Sequence, residues 1–391
     1  MKILIWDYTG QCSNILANYL KIDELKIIGI ITPDETNPAD LLAKDYDYLL
    51  IFEQGLRNLF VTATEALKIP DKKIIYALDL SSWLSHPSAI FSLVDSNNEG
   101  EKIYRHLNLS LDKQFSDFVT CTVEGISYIA TAKDKVIMNQ MYIDRKNFSA
   151  ADMWAFHALT KKYYDVDDSS GWILDLGANI GTTGIYFTKK IAPNLKCLAF
   201  EPDKENFRML KANILLNDLE DKFIVENIGL GAESGEQIMY KNSINPGGNS
   251  IIKYGENMSK EKINIITLDS YLASSEIFPE DVKYIWIDTE GFEAQVLIGM
   301  ENLITKNPAP IFIEYNPVAW ERCGVLLKVI ALLDKYYSHF IMIKEFLQTG
   351  KIKVYPIAKL QNFKDPTTGL VGFGGLGDIF LIAKGRNIIE A

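Results

Sequence analysis

The chain has no CxxC pair and no cluster of cysteine with histidine; its four cysteines, Cys12, Cys121, Cys197 and Cys323, are far apart. That spacing argues against structural zinc and fits a reducing, cytoplasmic setting. No window approaches the roughly 18 uninterrupted apolar residues of a membrane span. The opening MKILIWDYTGQ lacks a signal-peptide layout, because Asp7 interrupts its short apolar run, and it reads as a first strand instead. Basic residues are also short: 40 Lys and Arg against 51 Asp and Glu leave a net charge of -11. Nucleic acid is therefore not an expected partner, since phosphate binding is driven by basic surface. No short repeat or low-complexity tract is visible. What remains is an acidic chain of 391 residues, 48% of them hydrophobic. It is longer than one core usually grows, so two domains and a small or neutral substrate are expected.

The first part, to about residue 80, alternates apolar runs (KILIW, KIIGII, YLLIF, KIIYAL) with helical patterns near 13 to 21, 38 to 44 and 57 to 68. Strands separated by helices of this length favour right-handed crossovers and a parallel sheet, half of a doubly wound fold. Polar, helical sequence to about 115 bridges to a second part. There short β segments within DFVTCTVEGISYIATAKDK precede a helix, SAADMWAFHALTKKYY, with Ser149 as its expected N-cap. A second alternating series follows: WILDLG, KCLAFEP, FIVENIG, YIWID and PIFIEY, then an antiparallel-looking tail, HFIMI and DIFLIAK. Polar insertions lie at about 241 to 262 and 359 to 377. The expected domains are an α/β Rossmann-like unit at 1–115 and a larger α/β domain at 116–391.

In WILDLGANIG a buried strand ends at Asp175 and runs into Gly177, Asn179 and Gly181, with a helix expected from Thr182. Glycines at such a turn let the backbone approach a ligand, and the helix start points free N–H groups at it. LAFEPD then places Glu201 at the end of the next strand, about 20 residues on, where a carboxylate can accept both hydroxyls of a ribose. Loop and acid together indicate a nucleoside-containing cofactor, either a nicotinamide dinucleotide or S-adenosylmethionine. A dinucleotide wants G-x-G-x-x-G, whereas this loop reads G-x-N-x-G. The amide of Asn179 suits a zwitterionic amino-acid tail and would crowd a pyrophosphate, which favours S-adenosylmethionine.

Five motifs, ILDLGANIGTTGIYF, AFEPDKENFRMLKANILLN, ENIGLGAESGE, INIITLDSYL and YIWIDTEGFEAQVLIGM, resemble in order and spacing the FkbM family of S-adenosylmethionine-dependent methyltransferases. The resemblance spans about residues 135 to 320. It implies the class I methyltransferase fold, a Rossmann-like seven-stranded sheet with the last strand antiparallel, and usually O-methylation of a sugar or other secondary metabolite. Carried onto this sequence, it implies that Gly177, Ala178, Asn179 and Gly181 line the methionine portion and that Glu201 holds the ribose, with Asp175 and Pro202 among the cofactor-binding residues. Asn227 and Ile228 would sit beside the adenine, and Asp288 opposite the sulfonium.

A hydroxyl nucleophile gains from losing its proton. Asp288 is the first candidate base, Glu314 the second, and His157, on the helix before the glycine strand, a third with more weight on a purely structural role. Asp288, Glu314 and Asn316 also form a candidate Mg²⁺ set of hard oxygen ligands, ranked below the metal-free reading. Glu290 reads as an N-cap for the helix near Phe292, and Glu293 as a first-turn acid favoured by the helix dipole. His86, His106 and His339 have no constellation around them. The loop TTGLVGFGGLG, residues 367 to 377, reads as a lid over the acceptor site or an inert surface loop. In the first domain Gly10 stands alone in its turn, which argues against a dinucleotide there despite Asp34. A structural role, homodimerisation or a nucleotide-linked sugar are the readings left for it.

The expected reaction is methyl transfer to a sugar hydroxyl of a bacterial capsular or other surface polysaccharide, or of its nucleotide-sugar precursor. A polyketide-like small molecule is the alternative acceptor, with Trp154, Phe156, Tyr163 and Tyr164 as aromatics suited to line either pocket. An NAD-dependent oxidoreductase of nucleotide sugars is the remaining, lesser alternative.

Overall fold

In the computed structural model the described residues are 2–7, 26–31, 38–52, 64–65, 68–70, 73–77, the single positions 105, 109 and 113, and 116–388 without 243–245, 254–257 and 363–376. Cys12, Gly10, Asp34, His86, His106 and all but the last residue of the 367 to 377 loop lie outside them. The chain divides into two compact units, Met1–Val119 with Tyr142–Asp144, and Thr120–Met141 with Arg145–Ala391.

The first unit holds β1 (Lys2–Asp7), β2 (Lys26–Ile31), β3 (Tyr48–Phe52) and β4 (Ile74–Ala77). They form a parallel sheet in the order β2-β1-β3-β4. Each apolar run of the sequence is one strand, as fully covered parallel strands require. Leu4, Ile31, Tyr46, Leu49 and Ile51 make the core, with Leu41 and Leu42 of the helix Pro38–Leu42 packed on it.

The second unit opens with a hairpin of β5 (Phe118–Val123) and β6 (Ile126–Thr131). Its two turn residues, Glu124 and Gly125, have φ of 53° and 78°, the left-handed pair that a tight hairpin turn requires. The main sheet follows: β7 (Trp172–Leu176), β8 (Lys196–Phe200) and β9 (Phe223–Glu226). A small sheet branches off through β10 (Gly229–Leu230), β11 (Gly235–Lys241) and β12 (Ser259–Ile266). The main sheet resumes with β13 (Val282–Ile287), β14 (Ile311–Glu314), β15 (Tyr337–Met342), β16 (Tyr355–Pro356) and β17 (Asp378–Ala383). Its order is β16-β15-β17-β14-β13-β7-β8-β9. β17 runs antiparallel to both neighbours, and β7 lies in parallel contact with β8 and β13. This is the class I methyltransferase order, with one departure. The two-residue β16 adds an eighth strand at the edge, paired to β15 alone.

The strand order reverses at β7, and in open α/β sheets ligands bind at the carboxyl ends of the strands flanking such a point. Register makes this concrete. Leu176 pairs with Phe200 on one side and Ile287 on the other; Phe200 pairs with Glu226 and Ile287 with Ile313. The next residues along the five strands are therefore Asn227, Glu201, Gly177, Asp288 and Glu314, one row across the sheet edge.

The helix Ala150–Tyr163 covers one face. Its Phe156 is fully buried, with ring centroids 5.5, 6.0, 5.8 and 6.0 Å from Tyr284, Trp286, Phe312 and Phe380. Tyr163 and Tyr164 are buried too, and the Tyr164 hydroxyl donates to the Leu381 carbonyl and accepts from Ala383 N–H. Trp154 is 45% exposed and points its Nε1–H at the Tyr186 hydroxyl, 3.3 Å away. The aromatic run expected to line an acceptor pocket is thus mostly core, because its helical spacing aims it at the sheet. Ser149 does occupy the N-cap position of this helix, but its φ of 54° is left-handed and its side chain bonds Asp152 instead of a helix N–H.

Candidate active site

A cleft of about 590 Å³, counted to its open mouth, lies at the row of strand ends. Gly177 and Asn179, Glu201 and Pro202, Ile228 to Leu230, and Asp288 to Glu290 line it from below. The glycine loop hangs from β8: Gly177 and Ala178 N–H both donate to the Phe200 carbonyl, at 3.1 and 2.9 Å. Gly177 has φ +99°, and a Cβ built on it would stand 1.8 Å from the Asp288 carbonyl oxygen. Only glycine admits that approach.

Glu201 is 6% exposed. Its Oε2 accepts from Asn179 N–H at 2.8 Å and its Oε1 from Asp203 N–H at 2.7 Å. Asn179 presents that N–H from a left-handed backbone, φ 51°. Each carboxylate oxygen keeps lone-pair capacity for one further donor, so the group is rigidly aimed and still able to receive two hydroxyls. Burial pushes it up to about 8 against the pull of the two N–H donors, which makes it a poor resting place for an uncompensated charge.

The β13 end turns sharply through Glu290 (φ 54°) and Gly291 (φ 96°) into the helix Glu293–Ile298. Glu293 is fully buried and holds this turn. Its Oε1 accepts from the N–H groups of Thr289 and Gly291 and from the Thr289 hydroxyl, and its Oε2 from Trp320 Nε1. The helix has no side-chain cap, so Glu290 does not cap it as expected and instead lines the cleft.

The family model for the methyltransferase FkbM domain matches residues 175–348. This segment is an FkbM methyltransferase domain. Methyltransferase sdnD of Sordaria araneosa is 26% identical over 204 residues, 45% of this chain and 77% of that protein. The crystal structure of methyltransferase FkbM from Methylobacillus flagellatus KT aligns over 97% of this chain and 89% of that one, at 13% identity and a TM-score of 0.33. An O-methyltransferase from Bacillus cereus in complex with SAH aligns over 60% and 81%, at 11% identity and 0.34. At those scores neither structure carries weight; the fold assignment rests on the strand order above. The family match and the Sordaria relative together mark this segment as a methyltransferase.

Within the FkbM domain not every expected residue reaches the cleft. Asp175 lies beneath the glycine loop, 1% exposed, with Oδ2 accepting from Gly184 N–H at 2.9 Å and Oδ1 unpaired among the described residues; burial pushes it up to about 7. Ala178 is buried outside the lining, and Gly181 is a packing glycine whose Cβ would stand 2.6 Å from Leu210 Cδ1. Asn227 clamps the acid loop by donating from Nδ2 to the carbonyls of Glu201 and Pro202, while Ile228 beside it lines the cleft.

His157 is at the wrong end of the sheet. Its Nδ1 is 3.0 Å from the Tyr284 hydroxyl, which donates to Asp168. Tyr284 precedes Asp288 by four positions on β13, a separation of about 13 Å at 3.3 Å per residue. Glu314 ends β14 directly across from Asp378. Burial and the neighbouring carboxylates Glu293, Asp288, Glu290 and Asp378 push it up to about 10, and its Oε2 is buried without a hydrogen-bond partner among the described residues. Glu314 does not line the cleft and is therefore less well placed than Asp288 to act as a base there. Asn316 is occupied as an N-cap, its Oδ1 accepting from Ala319 N–H at 3.1 Å. Among the described residues no group of three or more His, Cys, Asp or Glu side chains is arranged to hold a metal ion.

Asp288 differs from these. Burial among protein atoms, and then Glu293, push it up to about 7, yet its side chain keeps exposed surface on the cleft, where water moderates that shift. Sequence reasoning missed two features. Asn213 of the helix Lys204–Leu216 accepts from Ile129 N–H and donates to the carbonyls of Ile129 and Ile180, tying the hairpin to the glycine loop. A pair of buried asparagines one helical turn apart, Asn213 and Asn217, was the available signal. The second is a roof from the small sheet, Met239 and Pro246 to Ile251, within what reads as a polar insertion.

Asp175 and Glu201 bind protons more tightly in the folded state than in the unfolded one, so their contribution is complete at low pH and is lost as pH rises through about 7 and 8. The ligand-free protein should therefore lose thermal stability between about pH 4 and 8. Asp175→Asn should flatten the lower part of that slope, by up to about 4 kcal/mol at about 1.4 kcal/mol per tenfold change in proton affinity. Scanning calorimetry across this range checks it; an unchanged slope in the variant would remove Asp175 from the account.

Proposed function

We propose that the cleft holds S-adenosylmethionine and that the enzyme methylates a hydroxyl of a neutral carbohydrate, with Asp288 as base. The observation that carries this is the single row of Glu201, Gly177 and Asp288 at one sheet edge. The residues fit the cofactor: Glu201 offers two aimed acceptors for a diol, Asn179 lies beside it, and Ile228, Leu230, Met239, Ile251 and Phe292 offer apolar surface for a flat base. Bound, the cofactor supplies an activated methyl group.

The chain's part is positioning and proton removal. Asp288 is exposed to the cleft and, unlike Glu293, has no backbone turn to hold, so its carboxylate is available to take the proton of an acceptor hydroxyl. Its elevated proton affinity suits that task near neutral pH. The acceptor class is read from what surrounds it. Thr289 and Glu290 line the cleft beside Asp288, hydrogen-bonding groups suited to a polyhydroxylated acceptor. The aromatics read as lining either kind of pocket are mostly taken up by the core and favour neither acceptor. The same crowd of carboxyls disfavours an anionic nucleotide-sugar and favours a neutral glycan.

Calorimetry should show micromolar binding of S-adenosylhomocysteine and none of NAD; the reverse result would sink the cofactor assignment. Asp288→Ala should bind S-adenosylhomocysteine within about threefold of wild type while losing about 10²- to 10⁴-fold in turnover. Wild-type turnover in that variant would exclude the base role. Mass spectrometry of surface glycan from cells with and without the gene should reveal the loss of one CH₂ increment per modified sugar; unchanged glycan mass argues for another acceptor.

A further inference from the structure

The segment from Pro246 to Ile251 crosses the cleft as a strap, tied down at several points. Asn206 Nδ2 donates to the Pro246 carbonyl at 3.0 Å, the backbones of Ser250 and Tyr240 exchange two hydrogen bonds, and Ser250 Oγ donates to the Glu290 carbonyl at 2.6 Å. At the root of the strap Lys241 pairs with Asp203 at 2.6 Å, beside the loop that carries Glu201. The strap is thus fastened to the helix after Glu201 and to the turn after Asp288, the two walls between which a ligand must lie.

One group on the strap has no structural task. Asn249 Oδ1 accepts from Asn242 N–H at 2.8 Å. Only the oxygen of an amide can accept, so this bond fixes which way the side chain faces and leaves both Nδ2 hydrogens elsewhere. Asn249 Nδ2 is buried and has no hydrogen-bond partner among the described residues, and Asn249 lines the cleft. Leaving a buried donor unpaired is unfavourable, and such groups in folded proteins call for an explanation. The same cleft offers apolar surface at Ile228, Leu230, Met239, Ile251 and Phe292. Apolar surface and an unused buried donor in one cleft are complementary to a flat heterocycle that carries an acceptor at its edge.

We propose that Asn249 Nδ2 donates to a ring nitrogen of the cofactor's adenine, so that the strap selects the base while Glu201 selects the ribose. This rests on the assignment of the cleft to S-adenosylmethionine.

The test uses the full chain and S-adenosylhomocysteine as titrant. Asn249→Asp keeps the oxygen that Asn242 N–H needs and deletes the donor, so the strap's internal bond survives. Its affinity should fall about 10- to 100-fold. Three analogues, with CH in place of nitrogen at purine position 1, 3 or 7, are titrated in parallel. One of them should lose the same factor against wild type and nothing further against Asn249→Asp, which a merely structural asparagine would not produce. Equal binding of S-adenosylhomocysteine by wild type and Asn249→Asp overturns the proposal, and so do three analogues that all bind wild type as tightly as the parent, a result that needs no folded variant. Wild-type protein that does not bind S-adenosylhomocysteine at all overturns the cofactor assignment itself, a different failure from either.

Discussion

The peptide of Asp288 lies against the α-carbon of Gly177, and the catalytic edge of the molecule depends on that contact. Asp288 N–H continues the ladder to the Leu176 carbonyl at 3.0 Å, and then the two chains must part, one into the glycine loop and the other into the acidic turn. With any side chain at position 177 they would collide before parting. Because they can close up, the loop reaches back to the Phe200 carbonyl and Asn179 reaches Glu201. The turn in turn brings Asp288 and Glu290 to the opposite side of the same cleft. Three strand ends become one floor.

Around that floor the carboxyls divide by what satisfies them. Glu293 gives its oxygens to the turn and an indole, Glu201 gives half its capacity to backbone N–H groups, and Asp288 faces the cleft with its capacity intact. Glu314, pressed among four other acids, is pushed strongly toward holding its proton. Residues of one type adjacent in a row thus do different work, and hydrogen-bond supply decides which does what. An edge so rich in acids accommodates hydroxyls readily and anions poorly, in keeping with the acidity of the whole chain.

The strands were legible because parallel strands buried on both faces are short apolar runs bounded by turn residues, and each run from KILIW to DIFLIAK became one. The glycine loop and Glu201 were legible for a similar reason: their function depends on positions close in sequence to a strand end. His157, Glu314 and the aromatic helix were misplaced. The helix spacing says that Phe156 is buried but not under which end of the sheet, and a strand-end acid looks the same whether its neighbours across the sheet are cations or more acids. The strap was hidden because its Asn, Gly and Pro residues carry the composition of any surface loop.

The sequence by itself determined the element series, the glycine turn, the acid after the second strand and the family, since each is written in local spacing. The tertiary structure alone decided register, which set Glu201, Gly177 and Asp288 side by side. It alone decided burial, which separated a proton-holding Glu314 from a cleft-facing Asp288. Both depend on contacts between separate strands, residues more than a hundred positions apart in the case of Gly177 with Asp288. Local propensity carries no record of such contacts.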